Sequence, residues 1–149
     1  MHWTDKQSIR LSAWCIYILG LLILLAMVFI SVFIDIVIPD YAISRDNRMF
    51  FILTLEICLA TGLAILFLLY QLIQNIDNNQ TFTEKNIKLL RGISWLCFLE
   101  ALFLLVSGSY YYPWFFVAGL AAFVGVIVRI IKNVFCQALL IKEENDFTI

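Results

Sequence analysis

Charge is scarce in this chain of 149 residues: Asp, Glu, Lys and Arg together make up 14%. An ordinary water-soluble domain carries about a quarter charged residues. With 63% hydrophobic residues and a mean hydropathy of +0.95, the chain cannot cover a water-facing surface, and its composition specifies an integral membrane protein. Histidine is nearly missing. The single one, His2, is terminal, so a histidine-based catalytic site has no residue to use. Cysteine is sparse and scattered: Cys15, Cys58, Cys97 and Cys136 form no CxxC pair. That excludes a disulfide framework and a zinc site, and leaves small core-filling residues. The net charge of −1 offers no basic field for direct nucleic-acid binding. Alternating strands of about ten residues, the mark of a membrane β-barrel, are also lacking, as is any internal repeat.

What the chain has in abundance is long apolar runs. Residues 11–34 contain no charge, 49–73 contain only Glu56, and 92–128 contain only Glu100. A helix needs about 20 residues to cross a hydrocarbon core of about 30 Å. The third run is long enough for two crossings, with a break at Ser107-Gly108-Ser109-Tyr110-Tyr111-Tyr112-Pro113-Trp114. The expected fold is an all-α membrane four-helix bundle forming a single domain, with spans near 11–35, 49–73, 90–109 and 113–136. A connecting loop covers 74–89 and a C-terminal extension 137–149. The first run is too long for a secretory signal and is followed by no cleavage site, so it is expected to be retained.

Basic residues orient the bundle. Lys6, Arg10, Lys85, Lys88, Arg91, Arg129, Lys132 and Lys142 fall on one side, against Arg45 and Arg48 on the other. The excess of Lys and Arg in short flanks marks the cytoplasmic side, so both termini are expected in the cytoplasm. The tip at residues 110–116 is expected as an aromatic belt among headgroups. In the connecting loop, Asp77-Asn78-Asn79-Gln80 is turn chemistry. Thr83 is placed to cap the third helix, with Phe82 and Ile87 as a hydrophobic staple.

Ionisable groups inside the bilayer cost roughly 2.5–3.5 kcal/mol on insertion scales, so each needs a reason. Glu56 shares a helical stripe with Ala60, Ala64, Phe67 and Gln71, and Arg129 shares one with Ala118, Ala122, Gly125 and Asn133. Small residues at four-residue spacing let helices approach, so both side chains are expected to face into the bundle. Glu100 lies about 13 Å beyond Arg91 along the helix axis, within reach of the long Arg129 side chain. A Glu100–Arg129 pair follows as an option, and Glu56 is left without a basic partner at its level. The structural reading makes these residues glue between helices. The functional one makes them a proton- or ligand-linked switch. Small-residue faces on the second and fourth helices also leave a homo-oligomer open.

The C-terminal segment is the second informative region. Arg129, Asn133 and Gln137 follow one another at four-residue spacing beside Lys132. An acidic run, 142–146, then gives way to an apolar ending with Phe147 and Ile149. Such an ending either docks at the interface or is read by a cytosolic partner.

Several stretches together carry a family resemblance. They are Lys6-Gln7-Ser8-Ile9-Arg10-Leu11-Ser12; residues 82–95, Phe82-Thr83-Glu84-Lys85-Asn86-Ile87-Lys88-Leu89-Leu90-Arg91-Gly92-Ile93-Ser94-Trp95; the Tyr-Tyr-x-Pro region of the tip; and 127–135 with the ending 142–149. Over essentially its whole length the chain resembles domain of unknown function 2975. That resemblance implies a small four-span bacterial membrane protein with no assigned activity and no catalytic residues, often encoded beside a small helix-turn-helix regulator. It singles out Asn86, Arg91, Arg129, Lys132 and Asn133. The resulting expectation is a non-enzymatic membrane partner or modulator of a cytosolic regulator, needing neither cofactor nor metal. Asn86, Arg91, Lys132, Asn133, Gln137, Phe147 and Ile149 are its candidate partner contacts. The alternative is a transport or immunity-type protein using Glu56 and Glu100 within the bilayer. An intramembrane enzyme is disfavoured, since Ser31, Thr54, Ser94 and the cysteines have no base nearby in sequence.

Overall fold

A computed structural model of the chain describes residues 5–37, 43–78 and 80–146. Four helices account for nearly all of them: α1 (Asp5–Val37), α2 (Arg45–Asp77), α3 (Glu84–Ser107) and α4 (Pro113–Asp146). All four are long and apolar enough to cross a membrane, so the chain is a multi-pass membrane protein. Each helix packs on its neighbour in sequence, α1 on α2, α2 on α3 and α3 on α4. Short connections make successive helices antiparallel. Both ends of the described chain therefore lie at the same end of the bundle, here called the basic end; the opposite end is the aromatic end.

The packing seams repeat every three and four residues. On α1 the least exposed positions are Ile9, Ala13, Ile16, Gly20, Ile23, Met27, Ile30 and Ile34. On α3 they include Ile87, Leu90, Ser94, Cys97, Ala101, Leu104 and Gly108 at its C-cap. On α4 they include Trp114, Ala118, Ala121, Gly125, Val128, Lys132, Phe135 and Leu139. Alternating steps of three and four average 3.5 residues, which keeps one stripe against a gently supercoiled neighbour. Such bundles rely on close approach because lipid offers apolar side chains as good an environment as protein does. Gly125 shows the consequence: a Cβ there would lie 3.2 Å from Cys97 Cβ and 3.3 Å from the Phe98 ring. The Ser94 hydroxyl donates to the Gly125 carbonyl at 3.0 Å, fastening α3 to α4 at that crossing.

At the aromatic end, side chains from all four helices form one cluster. Ile30 and Ile34 of α1 meet Phe51, Leu104, Trp114 and Ala118. Phe51 stands edge-on to Tyr111 at 5.2 Å between centroids and lies 5.3 Å from Trp114. The Thr54 hydroxyl contacts Ser107 Oγ at 3.3 Å and also the Tyr110 hydroxyl, joining α2 to the α3–α4 turn. The expected aromatic belt is thus divided. Tyr112 and Phe116 are exposed as expected, whereas Trp114 is buried. The tip folds back onto α2, where its rings find other rings.

Pro113 opens α4, where a missing N–H costs nothing. From there α4 runs unbroken for 34 residues, about 50 Å, well beyond the roughly 30 Å of a hydrocarbon core. The C-terminal extension expected from residue 137 is a direct continuation of this helix up to Asp146. Phe147 and Ile149 lie outside the described residues, as does Asn79 of the loop.

Candidate functional site at the basic end

The loop between α2 and α3 is held by a polar knot. Thr83 caps α3, its hydroxyl accepting from the Asn86 N–H at 3.4 Å, as its sequence position predicts. The Asn86 side chain is fully buried. Its Nδ2 donates to the carbonyls of Gln80 at 2.7 Å and Thr81 at 2.8 Å, and its Oδ1 accepts from Asn75 Nδ2 at 2.7 Å. Lys85 Nζ donates to Asn75 Oδ1 at 3.3 Å. Asn86 therefore corrects the expectation of an open partner contact: every polar atom of its amide is used inside the chain. Phe82 has its aromatic partner on α4, Phe135, at 5.4 Å. This contact ties the loop to the helix extending from the basic end.

With the loop fixed, the first turns of α3 and the last turns of α4 lie side by side and leave a groove. A cavity of about 310 Å³ is lined by Glu84, Ile87, Lys88, Arg91, Cys136, Leu139, Leu140 and Glu143. Its floor is apolar and its rim carries both signs of charge. Glu84 and Lys88 form an exposed ion pair at 3.4 Å, of the kind worth little on its own. A second cavity, about 150 Å³, follows along the same groove between Arg91, Ser94, Trp95, Arg129 and Lys132. The structure thus gathers Arg91, Lys132 and Arg129 around one groove. Asn133 and Gln137, also expected as partner contacts, are exposed but line neither cavity.

Arg129 does not face into the bundle as expected. It is exposed, with its guanidinium 5.5 Å from the centroid of the Trp95 ring. Among the described residues it makes no ion pair with Glu100. From Gly125, which is in the seam, the stripe advances to Arg129 and Asn133 in two steps of four, turning about 40° around the axis at each step. By Arg129 it has left the seam, which passes through Val128 and Lys132 instead. Glu56 is corrected in the same way. It is exposed, together with Ala60, Ala64 and Phe67, so this small-residue stripe faces away from the other helices. The glycine that meets α1 is Gly62, opposite Ile23. Glu100 is partly buried beside the Cys58 thiol of α2, and its Oε1 is buried without a hydrogen-bond partner among the described residues. The three intramembrane candidates thus occupy three separate environments and form no relay. Among the described residues no group of His, Cys, Asp and Glu could hold a metal ion.

The family profile described as protein of unknown function DUF2975 matches residues 37–149, which is α2, α3 and α4 with their connections; the stretch 6–12, expected to share the resemblance, lies outside the match. The chain belongs to this family. No curated protein and no solved structure matches it. The family defines no activity, so a functional reading of this DUF2975 protein rests on its own residues. Trp95, Cys136, Leu139 and Leu140 line the groove and were not singled out in the sequence. Their signal was present as side chains at matching depth on two antiparallel helices, visible once α3 and α4 are paired.

Proposed function

We propose that the protein is a non-enzymatic membrane partner that holds and modulates a cytosolic regulator of the helix-turn-helix type. In this reading the basic end lies in the cytoplasm of a bacterial cell, as the distribution of Lys and Arg favours. One observation carries it: the α3–α4 groove at the basic end joins an apolar floor of Ile87, Leu139 and Leu140 to a rim of Glu84, Lys88, Arg91 and Glu143. An amphipathic helix docks into such a groove through apolar anchors, and the charged rim sets its register. Leu140 and Ile141 remain largely exposed beside it, although α4 here extends past the length a membrane needs. A water-exposed apolar edge is a contact surface awaiting a partner.

The test is photo-crosslinking from position 140 in intact cells, with position 112 at the aromatic end as the comparison. A cytosolic protein carrying a helix-turn-helix domain is expected at position 140, absent from position 112, and lost when Leu139→Glu is introduced. Crosslinks confined to membrane proteins would overturn the reading. A second reading, an intramembrane carboxylate serving transport or immunity, draws support from the unpartnered Oε1 of Glu100. It predicts that Glu100→Gln abolishes a proton-linked flux or protection phenotype, and an unchanged phenotype ends it.

A further inference from the structure

Three cations meet where the apolar run ends. Arg91 immediately precedes the run 92–128, Arg129 immediately follows it, and Lys132 is one turn further along α4. The pairing of α3 with α4 brings all three to the wall of one cavity of about 150 Å³. None of them is paired with a carboxylate among the described residues. Three like charges around one small cavity repel one another, and in a membrane-level groove the repulsion is little screened by water. An anion in the cavity removes that cost.

The remaining walls indicate which anion. Trp95 lies one turn deeper into the run than Arg91, is half exposed, and carries the Arg129 guanidinium over its ring at 5.5 Å. Stacking occupies the flat face of the guanidinium and leaves its in-plane N–H donors free to grip phosphate oxygens in a fork. Ser94 closes the floor, its hydroxyl already committed to Gly125. Beyond Trp95, Leu99 and Leu102 continue the same face of α3 and are more than half exposed. A phosphate in this cavity would therefore have an apolar track leading from it into the bilayer.

We infer that the Arg91–Arg129–Lys132 cavity is a binding site for the headgroup phosphate of an anionic phospholipid, with acyl chains laid along Trp95 and Leu99. A free inorganic phosphate shares the headgroup chemistry but has no use for the apolar track, and this difference separates the two sources. The site adjoins the groove proposed for the protein partner through Arg91 alone, and its test does not depend on that partner.

The experiment is native mass spectrometry of the full chain in detergent, titrated with phosphatidylglycerol, phosphatidylcholine or inorganic phosphate. Phosphatidylglycerol is expected to bind about tenfold more tightly than phosphatidylcholine, and millimolar inorganic phosphate is expected not to displace it. Arg129→Gln, Lys132→Gln and Arg91→Gln are each expected to reduce that preference several-fold. Lys142→Gln, a basic residue outside the cavity, is expected to leave it unchanged. Each variant is compared at equal helicity by circular dichroism, and three substitutions on two helices guard against one that misfolds. Equal binding of the two lipids overturns the inference. So does displacement by inorganic phosphate, or a loss in Lys142→Gln as large as in the cavity variants.

Discussion

The α3–α4 hairpin and helix α1 are all apolar enough to cross a membrane, yet they are held in different ways. On α3, Ile93 and Leu104 are almost completely buried, Ser94 bonds to the backbone of α4, and Gly125 admits Cys97 and Phe98 at close range. On α1, Trp14, Tyr17, Val28 and Ile36 are largely exposed, and one seam joins the helix to α2. In water such exposure would be a fault. In a bilayer it costs nothing, because lipid tails are as apolar as leucine. Hydrophobicity therefore places both elements in the membrane, while small residues and polar bonds decide which one is fixed to its neighbours. The hairpin has those devices along its length. On α1 the described devices include the Tyr17–Tyr70 hydroxyl contact at 2.8 Å, the Gly62 crossing and the cluster at the aromatic end.

The largest expected effect comes from breaking the hairpin at its closest point. Gly125→Leu would force α4 away from Cys97 and Phe98 and should cost about 3 kcal/mol, as over-packing does. Reversible unfolding in lipid discs measures it. Next comes Asn86→Ala. Removing a fully buried amide with three hydrogen-bond partners should cost about 2 kcal/mol and speed hydrogen exchange in the 80–84 loop, with exchange in α1 unchanged. Tyr17→Phe acts on the looser seam and should cost about 0.6 kcal/mol, the average for hydrogen bonds between membrane helices. Least of all is Gly62→Ala. The new Cβ would meet Ile23 Cδ1 at 3.6 Å, ordinary contact distance, so stability should hold within about 0.5 kcal/mol. A cost for Gly62→Ala matching that of Gly125→Leu would erase the distinction between the two seams.

The number of helices, the break before Pro113 and the Thr83 cap were all legible in the sequence, because each rests on local chemistry: run length, turn residues, and a hydroxyl before a helical turn. Facing directions were less so. The stripes of Glu56 and Arg129 follow mostly four-residue steps, whereas the seams alternate three and four, and the two patterns drift apart within a few turns. Asn86 was singled out for the right conspicuousness and given the wrong role. Its partners at Asn75, Gln80 and Thr81 become visible only once the loop has closed. The groove required knowing that Trp95 and Arg129, 34 positions apart in sequence, share a level in the bundle.

The unbroken length of α4 has a mechanical corollary. The described stretch from Pro113 to Asp146 is a single rod with its head, Trp114 and Ala118, wedged among Ile34, Phe51 and Tyr111 and its tail at the basic end. A tilt of about 5° about the wedged head would swing the tail by about 4 Å. Whatever grasps the projecting turns therefore has leverage on the opposite face of the membrane, and strain at the far face would be felt at the grip.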